Sequence, residues 1–241
     1  MTKKNNLTAQ ELLARLSRDP EFLANEDRRA KSRALREAKH REIERPVLQD
    51  LESLGLKVSS ITDLVRDYAP LGSDVTNLLL SWIPRIENES VNEGLVRALA
   101  AAAEPFDGCA LIEVFENTQS EEFRWAIANT MAEGRPYGVA DWLMEVVPDP
   151  SYGKAREMLL LALSRLVVNQ RANDVLLAVF DQLPGHAAAG LAESGGLREL
   201  KLLRDKRDKY KGWVKKEIDR AVRSIAKRVS PVISSSSDLI S

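Results

Sequence analysis

Apolar residues in this chain recur at a constant interval of 32 positions. One position of the repeat holds Leu95, Ile127, Leu159 and Leu191. An earlier position holds Leu79, Leu111, Leu143 and Val175, and a third is small in every copy, with Ala98, Thr130, Ala162 and Ser194. Several aligned positions at one offset indicate a stack of short repeated units, each of which buries its apolar face against the next.

The spacing within each unit predicts two α-helices. Apolar residues fall three and four apart in both halves of the unit, as they do along one stripe of a helix. Turn-forming segments such as "NTQSEE" and "PDPSYG" separate the halves. The small position lets a neighbouring helix approach closely. Aromatic residues make up only 5% of the chain, which also favours helices over strands.

A shortened fifth copy follows the four full ones. The segment "VKKEIDRAVRSIAKR" places Ile218 and Ala221 on the positions of Leu95 and Ala98, with five residues lost upstream. This segment and "VNEGLVRALA" resemble the second helix of short, bacterial-type HEAT repeats. The resemblance covers roughly residues 47–228. It implies an all-α fold, a right-handed α-solenoid of antiparallel helix pairs with repeats of about 32 residues.

The ends of the chain differ from the repeats, so we expect three parts: charged helices over residues 1–45, the repeats over 46–229 and a flexible Ser-rich tail over 230–241. "TAQE" is a capping box that starts a first helix at Thr8. A second helix begins with Asp19 as N-cap and Pro20 at its first position, and ends near Arg45 because Pro46 disfavours continuation. This segment serves as a solvated cap of the repeats or as an arm that grips a partner.

The formal net charge of −1 conceals a segregation of charge along the chain. Residues 1–45 carry a net charge of +4, residues 46–197 carry −12 and residues 198–241 carry +7. Such asymmetry bears on partners rather than on the fold. The acidic middle predicts a partner with a basic surface, which includes the basic end of a second copy of the chain.

Three features of the sequence favour a cytoplasmic location and no membrane partner. The N-terminus lacks the apolar core of a signal peptide. The longest apolar run, Met158–Leu163, is too short to cross a bilayer. Cys109 is the single cysteine, so no disulfide forms within the chain.

Residue patterns that carry catalysis are lacking. His40 and His186 are the only histidines, and neither has a Cys, His or carboxylate neighbour at metal-ligand spacing. No base is evident beside Cys109, and the motifs of phosphate-binding loops and hydrolase nucleophiles do not occur. We therefore expect no metal, no cofactor and no enzymatic activity.

Trp125 is the sharpest candidate for a contact residue, because its sister copies carry the charged Glu93 and Glu157 and because Trp is enriched at interface hot spots. In HEAT-like proteins the second helices line the concave surface, so the resemblance places Trp125 there. The predicted surface for a protein or peptide partner comprises Glu93, Arg97, Trp125, Asn129 and Glu157. The alternative is that Trp125 folds over onto the adjacent helix and is half-buried.

Nucleic-acid binding is the second hypothesis. The C-terminal segment mixes basic with aromatic residues, and its candidate contacts are Lys209, Lys211, Lys215, Lys216 and Arg220. The layout resembles that of HEAT-like alkylpurine DNA glycosylases, but the catalytic constellation of that family cannot be laid onto this sequence residue by residue. The acidic centre would repel DNA, and acidic residues within the basic segment favour a solvated helix face instead.

Overall fold

The computed structural model describes residues 8–237, with side-chain surroundings for residues 8–230. Over this range it is all-helical and contains no strand, which confirms the predicted class. The α-helices are α1 (Ala9–Leu16), α2 (Pro20–Ser53), α3 (Ile61–Tyr68), α4 (Ser73–Trp82), α5 (Glu89–Leu99), α6 (Cys109–Asn117), α7 (Glu121–Gly134), α8 (Ala140–Val146), α9 (Arg156–Leu166), α10 (Gln170–Ala178), α11 (Pro184–Ser194), α12 (Leu197–Lys206) and α13 (Gly212–Ser237). Short 3-10 helices cover Ile83–Arg85, Pro150–Ala155 and Arg207–Lys209. The chain forms two compact units, Met1–Pro46 and Val47–Ser241.

The N-terminal unit begins with the predicted capping box. The backbone N–H of Glu11 donates to Thr8 Oγ1 at 3.3 Å, and the N–H of Thr8 donates to Glu11 Oε2 at 2.9 Å. Asp19 caps α2 as predicted, since its Oδ1 accepts the backbone N–H of Glu21 at 2.9 Å. Every residue of α2 from 27 to 39 is exposed. Local bonds within the helix, such as the Lys31–Asp27 ion pair at 2.7 Å, therefore support this stretch.

The prediction that α2 ends before Pro46 is wrong. The helix continues for seven residues beyond the proline and ends at Ser53. A proline in a helix interior removes a backbone donor and costs about 3 kcal/mol. Val47 and Leu51 lie one turn apart just after it and are fully buried. Burial of two such side chains stabilises by roughly 1.5–3 kcal/mol each, which outweighs the cost of the proline.

The second unit is a series of helix pairs. The pairs are α4 with α5, α6 with α7, α8 with α9, α10 with α11 and α12 with α13, and the two members of each pair pack on each other. The second members also pack on one another in chain order, so that α5 contacts α7, α7 contacts α9, α9 contacts α11 and α11 contacts α13. Helix α3 packs on α5 at the start of this series.

The apolar positions of the repeat form the core of the unit. The residues Leu95, Ile127, Leu159 and Leu191 are all fully buried. The interval of 32 residues predicts that Val175 is the counterpart of Leu143 in the first helix of the fourth pair. The fully buried residue there is Leu176, one position later. Phe180, four residues later, is also fully buried. The path from the first helix to the second is therefore one residue shorter in this pair.

In each of three successive pairs, a side chain near the start of the second helix donates a hydrogen bond to a backbone carbonyl near the end of the first helix. The three donor residues are 32 positions apart. These bonds run from Asn92 Nδ2 to the Ile83 carbonyl (3.0 Å), from Arg124 Nε to the Phe115 carbonyl (3.2 Å) and from Arg156 Nε to the Val147 carbonyl (2.9 Å). Each acceptor lies near the C-terminal end of the first helix, where carbonyls lack helical partners. We call these three bonds the hairpin locks. Ala188 occupies the equivalent position in the fourth pair and has no donor in its side chain.

Successive second helices are also joined by side-chain bonds to backbone carbonyls. Thr130 Oγ1 in α7 donates to the Val96 carbonyl in α5 at 3.0 Å. Arg165 Nη1 in α9 donates to the Ala132 carbonyl in α7 at 3.0 Å. The Thr130 bond explains how a hydroxyl fits the small position of the repeat, since its polar group is satisfied within the helix contact.

Helix α13 continues into the segment where we expected a flexible tail. It ends at Ser237, and residues 238–241 of that predicted tail lie outside the described residues. None of the described helices is long and apolar enough to cross a membrane.

The hairpin locks lead to a stability prediction. Arg156 is only 4% exposed, and besides the Val147 carbonyl it contacts Gln182 Oε1, to which Nη2 donates at 3.0 Å. Arg156→Met removes these donors and leaves the buried Val147 carbonyl unpaired, so we expect the free energy of unfolding to fall by about 2–3 kcal/mol. Urea denaturation measures this. The control Arg171→Met, at an exposed position of α10, is expected to change it by less than about 0.5 kcal/mol, and equal effects of the two variants would contradict the role of the lock.

Candidate partner-binding site

Trp125 lies in an open groove on the second helices. The side chain is half-buried in the second turn of α7, and the groove has a volume of about 370 Å³. Its lining consists of Trp125 together with Arg97, Glu121, Glu122 and Lys154. We call it the Trp125 groove. It brings together two of the five residues predicted for this surface, Arg97 and Trp125.

The other three predicted residues do not line the groove. Glu93 reaches its edge through an ion pair in α5, with Oε1 2.7 Å from Nη2 of Arg97. Glu157 lies one helix further on, with Oε2 3.8 Å from Nε2 of His186. Asn129 is half-buried in α7. The predicted surface is thus one groove with neighbouring polar residues on either side of it along the series of second helices.

Three residues of the groove, Glu121, Glu122 and Lys154, are not among those predicted from the sequence. Glu121 and Glu122 open α7, directly after its N-cap Ser120, whose Oγ accepts the backbone N–H of Phe123 at 3.2 Å. Lys154 belongs to the short 3-10 helix before α9, in a segment where only a turn was expected. Two carboxylates and two cations therefore surround the indole. Their positions near a helix start and in a turn carry no apolar period that could have revealed them.

A second partly exposed tryptophan lies further along the same series of helices. Trp213 in the first turn of α13 is 55% exposed, and its ring centroid lies 5.4 Å from that of His186. Gly185 lies under this ring, where a Cβ would collide with it. His186, Lys154 and Glu122 occupy the same position of the repeat in successive units. Aromatic and charged side chains therefore recur at this position from α7 to α13.

The basic C-terminal segment is partly neutralised by its own acidic residues. Lys215 Nζ lies 3.0 Å from Asp208 Oδ1, and this bond holds the pKa of Asp208 below its usual value. Arg220 Nη1 lies 3.5 Å from Glu217 Oε2. The remaining candidates for nucleic-acid contact, Lys209, Lys211 and Lys216, are exposed. Two of the five predicted cations are thus engaged in local ion pairs.

Cys109 is exposed at the start of α6, where the neighbouring Asp107 disfavours the thiolate form of its side chain. The carboxylate of Asp107 accepts the backbone N–H of Cys109 at 3.0 Å. A hydrogen bond to this carboxylate, together with its negative charge, raises the pKa of the Cys109 thiol. A raised pKa lowers the fraction of reactive thiolate near neutral pH.

No three His, Cys, Asp or Glu side chains within the described part of the chain are grouped so that they could hold a metal ion. Comparison of the sequence and structure with protein-family models, curated proteins and solved structures yields no match. A function for this chain is therefore inferred from the residues and geometry of its own grooves.

The environment of Cys109 predicts the direction of a reactivity change. Asp107→Asn weakens the hydrogen bond and removes the negative charge that together raise the thiol pKa, so at about pH 8 a larger fraction of Cys109 is thiolate. We expect the rate of alkylation by iodoacetamide to rise about three- to tenfold, measured by mass spectrometry. Asp141→Asn, which removes another exposed carboxylate, serves as the control and is expected to leave the rate unchanged. An equal or slower rate in Asp107→Asn would contradict this assignment.

Proposed function

We propose that the chain is a non-enzymatic protein-interaction module, in which a HEAT-like, right-handed α-solenoid presents the Trp125 groove to a protein or peptide partner. The recurrence of helix pairs and the chain-order packing of α5, α7, α9, α11 and α13 support the solenoid. Stacked pairs form an extended surface rather than one deep cavity, and this suits a polypeptide partner.

The observation that carries the proposal is the partial burial of Trp125 within an open, charged groove. A tryptophan that is held on one side and accessible on the other offers a large rigid area at small entropic cost. The surrounding Arg97, Glu121, Glu122 and Lys154 supply a polar rim. An apolar centre with a polar rim is the usual anatomy of an interface hot spot.

The negative charge on two of the first helices supports the proposal that the partner has a basic surface. Helices α6 and α8 carry four carboxylates and no Lys or Arg, and all four are exposed: Glu113, Glu116, Asp141 and Glu145. Glu116 is held in place by Trp142, whose Nε1 donates to Oε1 at 2.8 Å. An exposed field of one sign attracts a partner of the opposite sign and speeds its association. A second copy of this chain, with its basic ends, meets this requirement as well as an unrelated basic protein does.

We infer a cytoplasmic site of action for this module, which is supported by the exposed, free thiol of Cys109. Such a thiol persists most readily in a reducing compartment. The nucleic-acid hypothesis has weaker support, because ion pairs engage two of its five candidate cations.

The experiment selects peptides from a displayed library on the immobilised full chain and measures the affinity of the best binders by calorimetry. We expect Trp125→Ala to weaken binding at least about tenfold, since hot-spot tryptophans contribute roughly 2 kcal/mol or more. We also expect affinity to fall as salt rises from about 50 to 500 mM, because the groove and the acidic helices act through charge.

Tyr137→Ala is the matched control, because it removes an aromatic side chain that is 60% exposed and outside the Trp125 groove. Circular dichroism verifies that both variants fold. Binding that is indifferent to Trp125→Ala and to salt would remove this surface from the proposal. A gel shift with single-stranded DNA that disappears when Lys209, Lys211 and Lys216 are replaced would favour the nucleic-acid hypothesis instead.

A further inference from the structure

A second groove, which Glu89 and Asn92 of α5 help to line, has an acidic lining. It has a volume of about 300 Å³ and lies between the first two full pairs, where the end of the first pair's α4 segment faces α6. Three carboxylates line it, those of Glu87, Glu89 and Glu113, and no Lys, Arg or His is among its lining residues. The other lining residues include the apolar Ile86 and Phe123 and the polar Asn117 and Thr118. We call it the acidic groove.

Asn92 also lines this groove and has an unmet hydrogen-bonding capacity. The residue is only 6% exposed. Its Nδ2 donates to the carbonyls of Ile83 at 3.0 Å and Ile86 at 3.1 Å, and these two acceptors fix the orientation of the amide. Among the described residues Oδ1 finds no donor, although it is buried. Buried acceptors are nearly always paired in folded proteins, so this oxygen points to a donor that the chain itself does not supply.

The sister units show which group such a position accommodates. Asn92 takes the place of Arg124 and Arg156 in the repeat, and each of those residues brings a guanidinium to the matching carbonyl. The guanidinium of Arg124 also lies over the Phe115 ring, with Cζ 5.7 Å from the ring centroid. In the first pair the shorter Asn brings no guanidinium to this position, and no cationic side chain is among the residues that line the groove.

We propose that the acidic groove takes an arginine side chain from a basic peptide segment of the partner. The guanidinium donates to Asn92 Oδ1 and to carboxylates of Glu87 or Glu113, and its aliphatic stem packs on Ile86 and Phe123. An organic cation suits the groove better than a metal ion, because the described carboxylates are not grouped as metal ligands. This inference rests on the proposed function and names the chemistry of its partner.

The test uses a fluorescein-labelled nonapeptide with a single central arginine among alanine and serine residues, and the same peptide with citrulline in place of arginine. Citrulline keeps the shape of the side chain and lacks its charge. By fluorescence anisotropy at low salt, we expect the full chain to bind the arginine peptide about tenfold more tightly or better. Equal binding of the two peptides would overturn the inference.

Asn92→Arg fills the groove from within. Arg124 and Arg156 show that the fold accommodates arginine at this position of the repeat, so we expect the variant to remain folded and to lose the preference for the arginine peptide. Unchanged binding by this variant would place the peptide elsewhere and overturn the inference.

In the wild type, the side-chain amide resonances of Asn92 in a nitrogen-15 correlation spectrum should shift on addition of the arginine peptide. Resonances that do not move would mean that Oδ1 is satisfied by buried water alone.

Glu113 and Glu145 provide a matched pair of variants. They occupy the same position of the repeat in α6 and α8, both are exposed, and only Glu113 lines the acidic groove. We expect Glu113→Gln to weaken binding of the arginine peptide about three- to tenfold and Glu145→Gln to leave it nearly unchanged. Equal losses would show that diffuse charge and not this groove attracts the peptide.

This inference and the proposed function can fail separately. One outcome is that the binding of the library peptides depends on Trp125 and is insensitive to Asn92→Arg and to replacement of arginine by citrulline. That result would support the interaction module and contradict the arginine site. The opposite outcome is that Asn92→Arg abolishes binding of the arginine peptide while Trp125→Ala leaves binding of the library peptides unchanged. That outcome would support the acidic groove as a binding site and contradict the Trp125 groove.

Discussion

Each second helix of the repeat buries its apolar face chiefly against the next second helix in the chain. The fully buried residues Leu95, Ile127, Leu159 and Leu191 mark this contact in four successive units. A single pair of short helices could not bury this face alone, since isolated helices of this length are marginal in water. The period of 32 residues, the small position and the chain-order packing of the helices all follow from this one requirement. The grooves follow from it too, because both form where successive pairs meet.

Polar side chains form hydrogen bonds with backbone carbonyls that the helices themselves leave unpaired. The hairpin locks satisfy carbonyls at the ends of the first helices, and they recur at Asn92, Arg124 and Arg156. At the first of these positions, the buried Oδ1 of Asn92 has no donor among the described residues, and the three carboxylates of the acidic groove have no cationic side chain beside them in its lining. One position of the repeat thus serves stability in two units, and in a third it forms the basis of a proposed arginine site.

The sequence was sufficient to predict the helical class, the approximate pairs and the core positions, because apolar period is a direct consequence of burial. The sequence was not sufficient where tertiary packing overrides the local preferences that set helix ends and connection lengths. Pro46 signals a helix end, yet burial of Val47 and Leu51 carries α2 past it. The one-residue shift that buries Leu176 arises from a shorter connection, which a fixed offset cannot show. Trp125 was identified from its contrast with charged sister residues. Lys154 and the hairpin locks were not identified, because their polar side chains vary between units and lie outside the apolar period that was used to find the repeat.

The interchangeability of stacked pairs is tested most directly by removing one of them. Deletion of residues 140–172 joins Val139 to Asn173 and, with the observed register, brings Leu176 to the position of Leu143. Circular dichroism and urea denaturation of this variant should show a helical protein that unfolds in one cooperative transition, since the remaining second helices still stack. Deletion of residues 140–155, which removes α8 and the 3-10 helix after it but keeps α9, should unfold the neighbouring units. A loss of helical structure in the 140–172 deletion as complete as in the 140–155 deletion would contradict the stacking of equivalent pairs.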